Sequence, residues 1–241
     1  MIFRNILLVI LTFILFPIIT LISVLIFILE FKRPFYTSKR VGLHSKLFNF
    51  YKFRTMKPNK SIKFSSTSDN DIRITKFGKF LRKFKLDELP QILNLLKNEV
   101  NFIGPRANVK IEVDNYTNIE KKILDVKPGI IDPSSIVFSN EGQILKNSLN
   151  PDIDYNLLIR PRKNFLSLIY IKQKNFFTDI QVLIAFIILF INKKKSLKII
   201  YSIYLKFGFK KEDILFINDN TNLKKIYDLE NYYKRLNLYE S

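Results

Sequence analysis

The first thirty residues include the most hydrophobic stretch of the chain. From Ile6 to Leu29 no residue is charged, and only a few small or compact residues interrupt the apolar side chains. A helix over these residues would be roughly 36 Å long, at about 1.5 Å per residue, which is enough to cross a bilayer core. The pattern therefore predicts a membrane-embedded helix over residues 6–29. The interrupting residues are Thr12, Pro17, Thr20 and Ser23.

Pro17 lies in the middle of this segment and bears on its shape. A proline inside a helix removes one hydrogen bond and kinks the axis, so the helix either spans straight or bends and returns to its own side. Basic residues favour the cytoplasmic side, and they flank both ends, with Arg4 before the segment and Lys32 and Arg33 after it. We therefore favour a re-entrant helix. A cleaved signal peptide is not expected, because its apolar run would usually be about 7–15 residues long.

Two further patterns follow the membrane helix. Basic and aromatic residues alternate from Lys32 to Met56, with Gly42 at a turn, which predicts short strands or loops near the lipid headgroups. After a polar loop over residues 57–70, apolar residues recur every three or four positions in a basic segment, as in an amphipathic helix. Pro90 and two acidic residues suit the first turn of a second helix from Asp87 to Lys97. The amphipathic stripe consists of Phe77, Phe80, Leu81 and Phe84.

The rest of the pattern predicts short extended segments and one more apolar helix. An extended run precedes Gly104-Pro105, a second loop opens at Lys127-Pro128-Gly129, and the residues from Phe176 to Ile191 suit a helix at the membrane interface. We predict an α/β fold, predominantly helical with short strands. It combines a re-entrant N-terminal membrane helix with interfacial amphipathic helices, and no large parallel sheet is expected.

Charge and composition narrow the range of partners. The chain has 40 Lys and Arg against 21 Asp and Glu, a formal net charge of +19, so nucleic acid, anionic lipid or phosphorylated substrates are the candidates. From Glu30 to Lys110, directly after the most hydrophobic segment, 19 residues are basic and six are acidic. This placement favours an anionic membrane surface. Cysteine is absent, which excludes disulfides, zinc–thiolate sites and cysteine nucleophiles.

Four short stretches carry candidate chemistry, and their order and spacing make them specific as a set. They supply basic residues, tight turns and a pair of carboxylates, which are groups suited to phosphate chemistry. The stretches are Tyr51-Lys52-Phe53-Arg54-Thr55-Met56, then Asp71-Ile72-Arg73-Ile74-Thr75 running into Gly78-Lys79-Phe80-Leu81-Arg82-Lys83, then Leu86-Asp87-Glu88-Leu89-Pro90-Gln91, and finally Ile103-Gly104-Pro105-Arg106.

Together these stretches resemble the bacterial sugar transferases of the monotopic phosphoglycosyl transferase superfamily. Weaker similarity near residues 127–130 and 170–179 extends the resemblance over about residues 1–190. The resemblance implies transfer of a sugar 1-phosphate from a nucleotide sugar, with UDP as the expected nucleotide, to polyprenyl (undecaprenyl) phosphate. This would be the first membrane step of capsule, O-antigen, exopolysaccharide or glycoprotein glycan assembly. The expected division is a membrane helix over 1–30, a catalytic domain over 31–192 and an extension of unknown role over 193–241.

The residue types make independent sense of this chemistry. A carboxylate has a reference pKa near 4 and is already a nucleophile at about pH 7, so Asp87 could attack a phosphate without a general base. The resemblance implies that Asp87 forms a phosphosugar–aspartate intermediate and that Glu88 binds Mg²⁺. A divalent cation is expected because two anions repel. The polyprenyl phosphate would then remove the sugar phosphate in the second step of a ping-pong reaction.

Basic residues of the same stretches are the candidates for binding substrate, because a planar guanidinium suits bidentate contact with phosphate. Arg54 and Arg73 keep a second interpretation, since each could instead form a structural ion pair with a residue such as Asp71. The pair Asp87 and Glu88 also has one, as a helix cap, which the neighbouring motifs disfavour. The substrate-binding candidates are Lys52, Arg54, Arg73, Arg82 and Arg106.

The chain departs from the family pattern at three places. Phe16 precedes Pro17 where a serine is common, and Ala107 follows Gly-Pro-Arg where a second proline is common. The loop over residues 131–135 reads Ile-Asp-Pro-Ser-Ser where a Thr-Gly version is commoner. We expect this loop to influence the choice of sugar.

Two rival functions remain open from the sequence. A non-enzymatic, membrane-anchored basic protein that binds anionic lipid or nucleic acid would explain the charge but not the Asp-Glu-Leu-Pro-Gln arrangement. A glycosyltransferase that moves only the sugar would release a nucleoside diphosphate. We expect the bacterial inner membrane as the location, with the catalytic domain facing the cytoplasm. The expected partners are a nucleotide sugar, polyprenyl phosphate and inner-membrane lipids, but no nucleic acid, for which no known motif is present; a homo-oligomer is left open.

Overall fold

Helices dominate the structure. The computed structural model describes residues 2–57, 71–236 and 238; residues 58–70, most of the predicted polar loop, lie outside the described residues. The predicted class, mostly helical with a few short strands and one N-terminal apolar helix, is confirmed. The α-helices of the described residues are α1 Ile2–Glu30, α2 Lys76–Lys83, α3 Ile92–Leu96, α4 Lys110–Val113, α5 Asn118–Lys121, α6 Pro133–Val137, α7 Glu141–Ile144, α8 Pro151–Asp154, α9 Arg160–Gln173, α10 Phe176–Leu189, α11 Lys193–Lys206, α12 Lys211–Ile214 and α13 Leu229–Arg235.

The strands form two small sheets in the described part of the chain. β1 (Phe35–Val41) and β2 (Leu47–Phe53) pair antiparallel on either side of the turn predicted at Gly42. β3 (Asn101–Ile103) and β4 (Gly129–Ile131) pair parallel. Short 3-10 helices cover Leu43–Ser45, Leu86–Gln91, Lys122–Asp125 and Leu215–Ile217, and a π-helical turn covers Tyr155–Ile159.

Helix α1 packs against the rest of the protein along one face. Its contact residues recur every three or four positions, the spacing of one helix face, and they lie on both sides of Pro17. The opposite face is exposed, with Phe13 77% and Phe16 66% accessible. By length and composition, residues 8–30 could cross a membrane. The contact residues are Leu8, Leu11, Leu15, Ile19, Ile22 and Ile26.

Helix α1 continues through Pro17 without a break. Proline cannot donate a hydrogen bond to the carbonyl four residues earlier, here that of Phe13. The nearby Thr12 hydroxyl donates instead to the carbonyl of Leu8 at 2.7 Å. Thr20 likewise donates to the Phe16 carbonyl at 2.9 Å. Such bonds to carbonyls that already have helical partners bend a helix slightly, so re-entry stays a prediction.

Two close contacts hold the β1–β2 hairpin and the β3–β4 sheet in place. Asn94 of α3 is fully buried, and its side-chain amide donates to the Asn49 carbonyl at 2.6 Å and accepts from the Tyr51 amide at 3.3 Å. The second sheet needs glycine: a Cβ on Gly129 would lie 2.1 Å from the backbone nitrogen of Gly104, which is far inside van der Waals contact. These contacts position the two turns that carry the candidate site, residues 86–91 and 104–106.

The largest core surrounds helix α9 and includes the C-terminal extension. Phe165 and Tyr170 of α9 are almost fully buried, as are Tyr204 of α11 and Tyr233 of α13. The Tyr204 hydroxyl donates to the Leu166 carbonyl at 2.6 Å. The extension over residues 193–241 is therefore, as far as it is described, packed into the same core as the main domain.

Candidate active site

The two candidate carboxylates lie on a tight turn between α2 and α3. Lys85, two residues after the end of α2, has a left-handed conformation with φ 56°, and the chain then forms a 3-10 helix over Leu86–Gln91. The predicted helix from Asp87 therefore begins as a 3-10 turn and becomes α-helical only at Ile92. Such tight first turns are common at helix ends. The turn brings both carboxylates to one cavity, although consecutive residues point in different directions.

Glu88 is held by two neighbours. The Arg106 guanidinium donates to both carboxylate oxygens, from Nη2 to Oε1 at 2.6 Å and from Nη1 to Oε2 at 3.2 Å, and Gln91 Nε2 donates to Oε2 at 2.9 Å. Burial raises the pKa of Glu88, but the charge and hydrogen bonds of Arg106 outweigh it and hold the pKa well below its usual range. Glu88 also raises the pKa of Arg106. Glu88 is thus ionised and fixed in orientation.

Asp87 has a different environment. Its side chain is buried, at 5% exposure, and burial together with the neighbouring charge of Glu88 raises its pKa, against the opposing effect of Lys52, Lys85 and Arg82. Adjacent carboxylates in a partly dry site repel each other, which gives an advantage to the one that has a direct cationic partner. Here the ion pair with Arg106 places that advantage on Glu88. The carboxylate of Asp87 is left facing cations rather than paired with one of them.

A polar cavity of about 660 Å³ contains both carboxylates. Arg54 and Arg73 do not line it. Arg73 forms an ion pair with Asp71, from Nη2 to Oδ2 at 2.6 Å, which agrees with its structural interpretation, and Arg54 Nε donates to the Arg33 carbonyl at 3.0 Å. Five of the predicted site residues do line the cavity: Lys52, Arg82, Asp87, Glu88 and Arg106.

The sequence did not single out several other residues of this cavity. Lys85 faces it from only two positions before Asp87, so closeness to the motif could have indicated it. Arg40 comes from the end of β1, and Lys163 comes from α9, and no local pattern connects either with the carboxylates. Each lies on a wall that only the fold brings near the motif. The cavity combines a buried carboxylate with an excess of cations, which suits a substrate with a phosphate chain.

An apolar cavity of about 250 Å³ adjoins the polar one. Helix α1 contributes Leu11 and Leu15 to it, and α10 contributes Phe186 and Leu189. The two cavities share four residues at their junction: both members of the Glu88–Arg106 ion pair, one further cation and one serine. A molecule with a phosphate head and a hydrocarbon chain matches this arrangement. The shared residues are Lys85, Glu88, Arg106 and Ser135.

Glu88 is a residue of the site with the chemistry to bind magnesium. Among the described residues no group of three or more His, Cys, Asp and Glu side chains could form a complete cage. Mg²⁺ does not need one, since it is usually bound by one or two carboxylates together with substrate phosphates. A carboxylate has about four acceptor positions. Three described hydrogen bonds reach Glu88, which leaves about one position for a metal ion. The site therefore fits a magnesium ion that also binds the phosphates of a substrate.

Comparison with known proteins identifies the family. The model of the family described as bacterial sugar transferase matches residues 2–193. The chain belongs to this family. The bacterial sugar transferase match includes α1 and the site, and it ends where the C-terminal extension begins.

Several relatives are similar to this sugar transferase over part of their length. An uncharacterized sugar transferase, EpsL of Bacillus subtilis, is 42% identical over 96 residues, covering 40% of this chain and 47% of the relative. The undecaprenyl-phosphate galactose phosphotransferase of Salmonella typhimurium is 32% identical, covering 61% and 31%. The UDP-glucose:undecaprenyl-phosphate glucose-1-phosphate transferase of Xanthomonas campestris is 33% identical, covering 50% and 27%. The matched region thus spans less than half of each of these relatives.

Lys52 should lose its proton unusually easily. Burial lowers its pKa to about 8, with Asp87 opposing the shift. Nuclear magnetic resonance of protein with labelled lysine should show one lysine signal that titrates near pH 8 and is missing in Lys52→Arg. The affinity for inorganic pyrophosphate should fall as the pH rises through this value, because the neutral amine no longer attracts the anion. If the wild-type signal that Lys52→Arg lacks titrates instead at the ordinary lysine value of about 10.4, this assignment is wrong.

Proposed function

We propose that the protein transfers a sugar 1-phosphate from a nucleotide sugar, UDP-linked, to undecaprenyl phosphate and releases the nucleoside monophosphate. The reaction would begin the membrane stage of assembling a capsule, O-antigen, exopolysaccharide or glycoprotein glycan. The observation that carries the proposal is the junction of the two cavities, where the buried Asp87 and its cations adjoin an apolar cavity. The names of the Salmonella and Xanthomonas relatives, which include undecaprenyl phosphate and a sugar phosphate, support it.

In the first step a carboxylate oxygen of Asp87 attacks the phosphorus atom that bears the sugar. A phosphorus–oxygen bond forms, and the bond from that phosphorus to the bridging oxygen breaks, so the nucleoside monophosphate leaves with the electron pair. The attacking form is the ionised carboxylate, which the surrounding cations favour against burial and the charge of Glu88, so this step needs no general base. Lys52, Lys85 and Arg82 counter the negative charge of both reactants, which is the main electrostatic barrier to the attack.

In the second step a phosphate oxygen of the lipid attacks the same phosphorus atom. The bond to Asp87 breaks, the carboxylate is restored, and the product is a sugar linked to the lipid through a diphosphate. Arg106 can assist, because its guanidinium has five donor hydrogens and the two hydrogen bonds to Glu88 use two of them. The lipid chain would lie in the apolar cavity beside α1 and α10, with its phosphate at the shared residues.

Magnesium would be held by Glu88 and by the diphosphate of the nucleotide sugar, with Asp87 close by. When bound, it would neutralise charge on the departing nucleotide. We expect EDTA to abolish transfer and added Mg²⁺ to restore it, and Glu88→Gln to weaken the dependence of the rate on Mg²⁺ as well as the rate itself. The measurement is the transfer rate over a series of free Mg²⁺ concentrations. An unchanged rate in EDTA would remove magnesium from the mechanism.

The direct test of function is a product assay. Purified protein is incubated with undecaprenyl phosphate and a panel of nucleotide sugars, and both products are identified by mass. We expect a lipid-diphosphate sugar together with a nucleoside monophosphate from the wild type, and at least about a thousandfold lower rate from Asp87→Asn, because an amide of nearly the same shape is a poor nucleophile.

Three outcomes would count against the proposal. Release of a nucleoside diphosphate would indicate a glycosyltransferase that moves only the sugar. Binding of anionic vesicles without turnover of any donor would favour a non-enzymatic lipid-binding protein. An Asp87→Asn variant with normal turnover would remove Asp87 from the reaction.

Arg106→Lys should be costly, because the charge survives but the planar fork does not. The variant loses one of the two hydrogen bonds to Glu88 and the bidentate contact proposed for phosphate, so we expect kcat/KM to fall by about 10–100-fold. Arg54→Lys is the matched control, since Arg54 does not line the cavity. An equal fall in kcat/KM in both variants would show that the guanidinium of Arg106 has no special role in the cavity.

The membrane arrangement is also part of the proposal. We propose that α1 enters and leaves through the cytoplasmic face of the bacterial inner membrane, so that the site lies at the level of the lipid phosphates. The residues that contact the rest of the protein lie on both sides of Pro17. A helix crossing the bilayer upright could not hold both halves against a domain on one side. The exposed apolar faces of α1 and α10 provide the surface for lipid contact.

Topology can be tested with single cysteines, because the chain has none. Asn5→Cys lies before the apolar segment, and Thr37→Cys lies after it at an exposed position of β1. Both should resist an impermeant thiol reagent in intact cells and react once the membrane is opened. Labelling of Asn5→Cys in intact cells would establish a straight span.

A further inference from the structure

The C-terminal extension makes directed polar contacts with the main domain in addition to its apolar packing. Asn220 is 5% exposed, and its Nδ2 donates to the Val137 carbonyl at 2.9 Å and to Asn140 Oδ1 at 3.1 Å. Asn140 Nδ2 donates back to Asn220 Oδ1 at 2.9 Å. These bonds join positions 80 and 83 residues apart in sequence. They connect the extension to the end of α6 and the start of α7.

The Asn140 side chain is committed to this contact. Asn140 precedes α7 at the N-cap position, where asparagine side chains commonly bond to the helix backbone, but its side chain makes no capping bond. The Phe138 ring, two residues earlier, stacks on Phe216 of the extension with centroids 6.1 Å apart. The turn between α6 and α7 is therefore held from behind by the extension rather than by its own helix cap.

The other side of the same turn faces the polar cavity. Residues 135–142 contribute Ser135, Phe138, Ser139, Glu141 and Gly142 to the wall of the cavity that contains Asp87 and Glu88. We define these eight positions, 135–142, as the α6–α7 wall. Ser135 also lies at the junction with the apolar cavity. A change in the position of this wall would change the space available to a bound substrate without touching either carboxylate.

We propose that Asn220 is a positioning residue that fixes the α6–α7 wall, and that through it the C-terminal extension sets the affinity and choice of the nucleotide sugar. This inference rests on the proposed function, because the occupant of the cavity is taken to be the donor. Asn220 lies outside the residues 2–193 that match the family model, so membership of the family does not by itself account for this contact. It gives the extension a role in donor recognition and none in the transfer step.

The first part of the test does not depend on activity. Hydrogen exchange is compared in full-length wild type, Asn220→Ala and Asn218→Ala, where Asn218 is an exposed asparagine two residues away. We expect at least about tenfold faster exchange confined to peptides covering 135–142 in Asn220→Ala, since three hydrogen bonds are lost and each is worth about a factor of two to ten. Exchange that is unchanged, or faster throughout the chain, would overturn the positioning role.

The second part measures steady-state kinetics with a panel of nucleotide sugars and undecaprenyl phosphate. In Asn220→Ala we expect the donor KM to rise about tenfold, the order of preference among donors to change, and kcat and the acceptor KM to stay within about twofold. Asn218→Ala should match the wild type. A fall in kcat with the donor KM and preference unchanged would overturn the inference. Absence of turnover in the wild type would instead refute the proposed function, while the exchange result would still test the wall.

Discussion

The site depends on the ion pair between Glu88 and Arg106. Two adjacent carboxylates in a largely buried turn repel each other as anions, so each needs its own compensating cations. Arg106 resolves this by binding Glu88 through both oxygens, so Asp87 keeps its carboxylate free to face the cations of the cavity. The pair also joins the turn at residues 86–91 to the turn after β3. The close approach of Gly104 and Gly129 is therefore part of what places Arg106 beside the carboxylates.

Helix α1 connects this polar site with lipid. Its inward stripe packs on the hairpin, α2 and α3, and its outward face is apolar and exposed. Because Leu11 and Leu15 of the same helix line the apolar cavity, the element suited to the membrane also forms a wall next to the reacting groups. A soluble donor and a lipid acceptor could thus reach the site from different sides, an arrangement that is compatible with a two-step transfer.

Local sequence signals predicted several of the elements but only part of the site. The long apolar run indicated α1, and the turn at Gly42 and the spacing of aromatic residues indicated the hairpin and α2. The carboxylates of Asp87 and Glu88 were recognisable because they are neighbours in one motif. Arg106 was predicted to bind substrate, but its ion pair with Glu88 was not predicted. The two residues are 18 positions apart, and only the packing of β3 beside β4 brings them close. Arg54 and Arg73 share their motifs with cavity residues, yet the folded chain turns them elsewhere. The role of Asn220 depends on contacts across 80 residues or more, which no periodicity reveals.

In the proposed reaction Asp87 becomes covalently modified before the lipid reacts. The most direct measurement mixes the purified protein with a nucleotide sugar that it uses, in a single turnover and without undecaprenyl phosphate, followed by intact-protein and peptide mass spectrometry. The account predicts one nucleoside monophosphate released per active site and a mass increase of one sugar phosphate on the peptide that contains Asp87, removed when the lipid is added. Nucleoside monophosphate that appears only after addition of the lipid, with no modified peptide at any time, would contradict it.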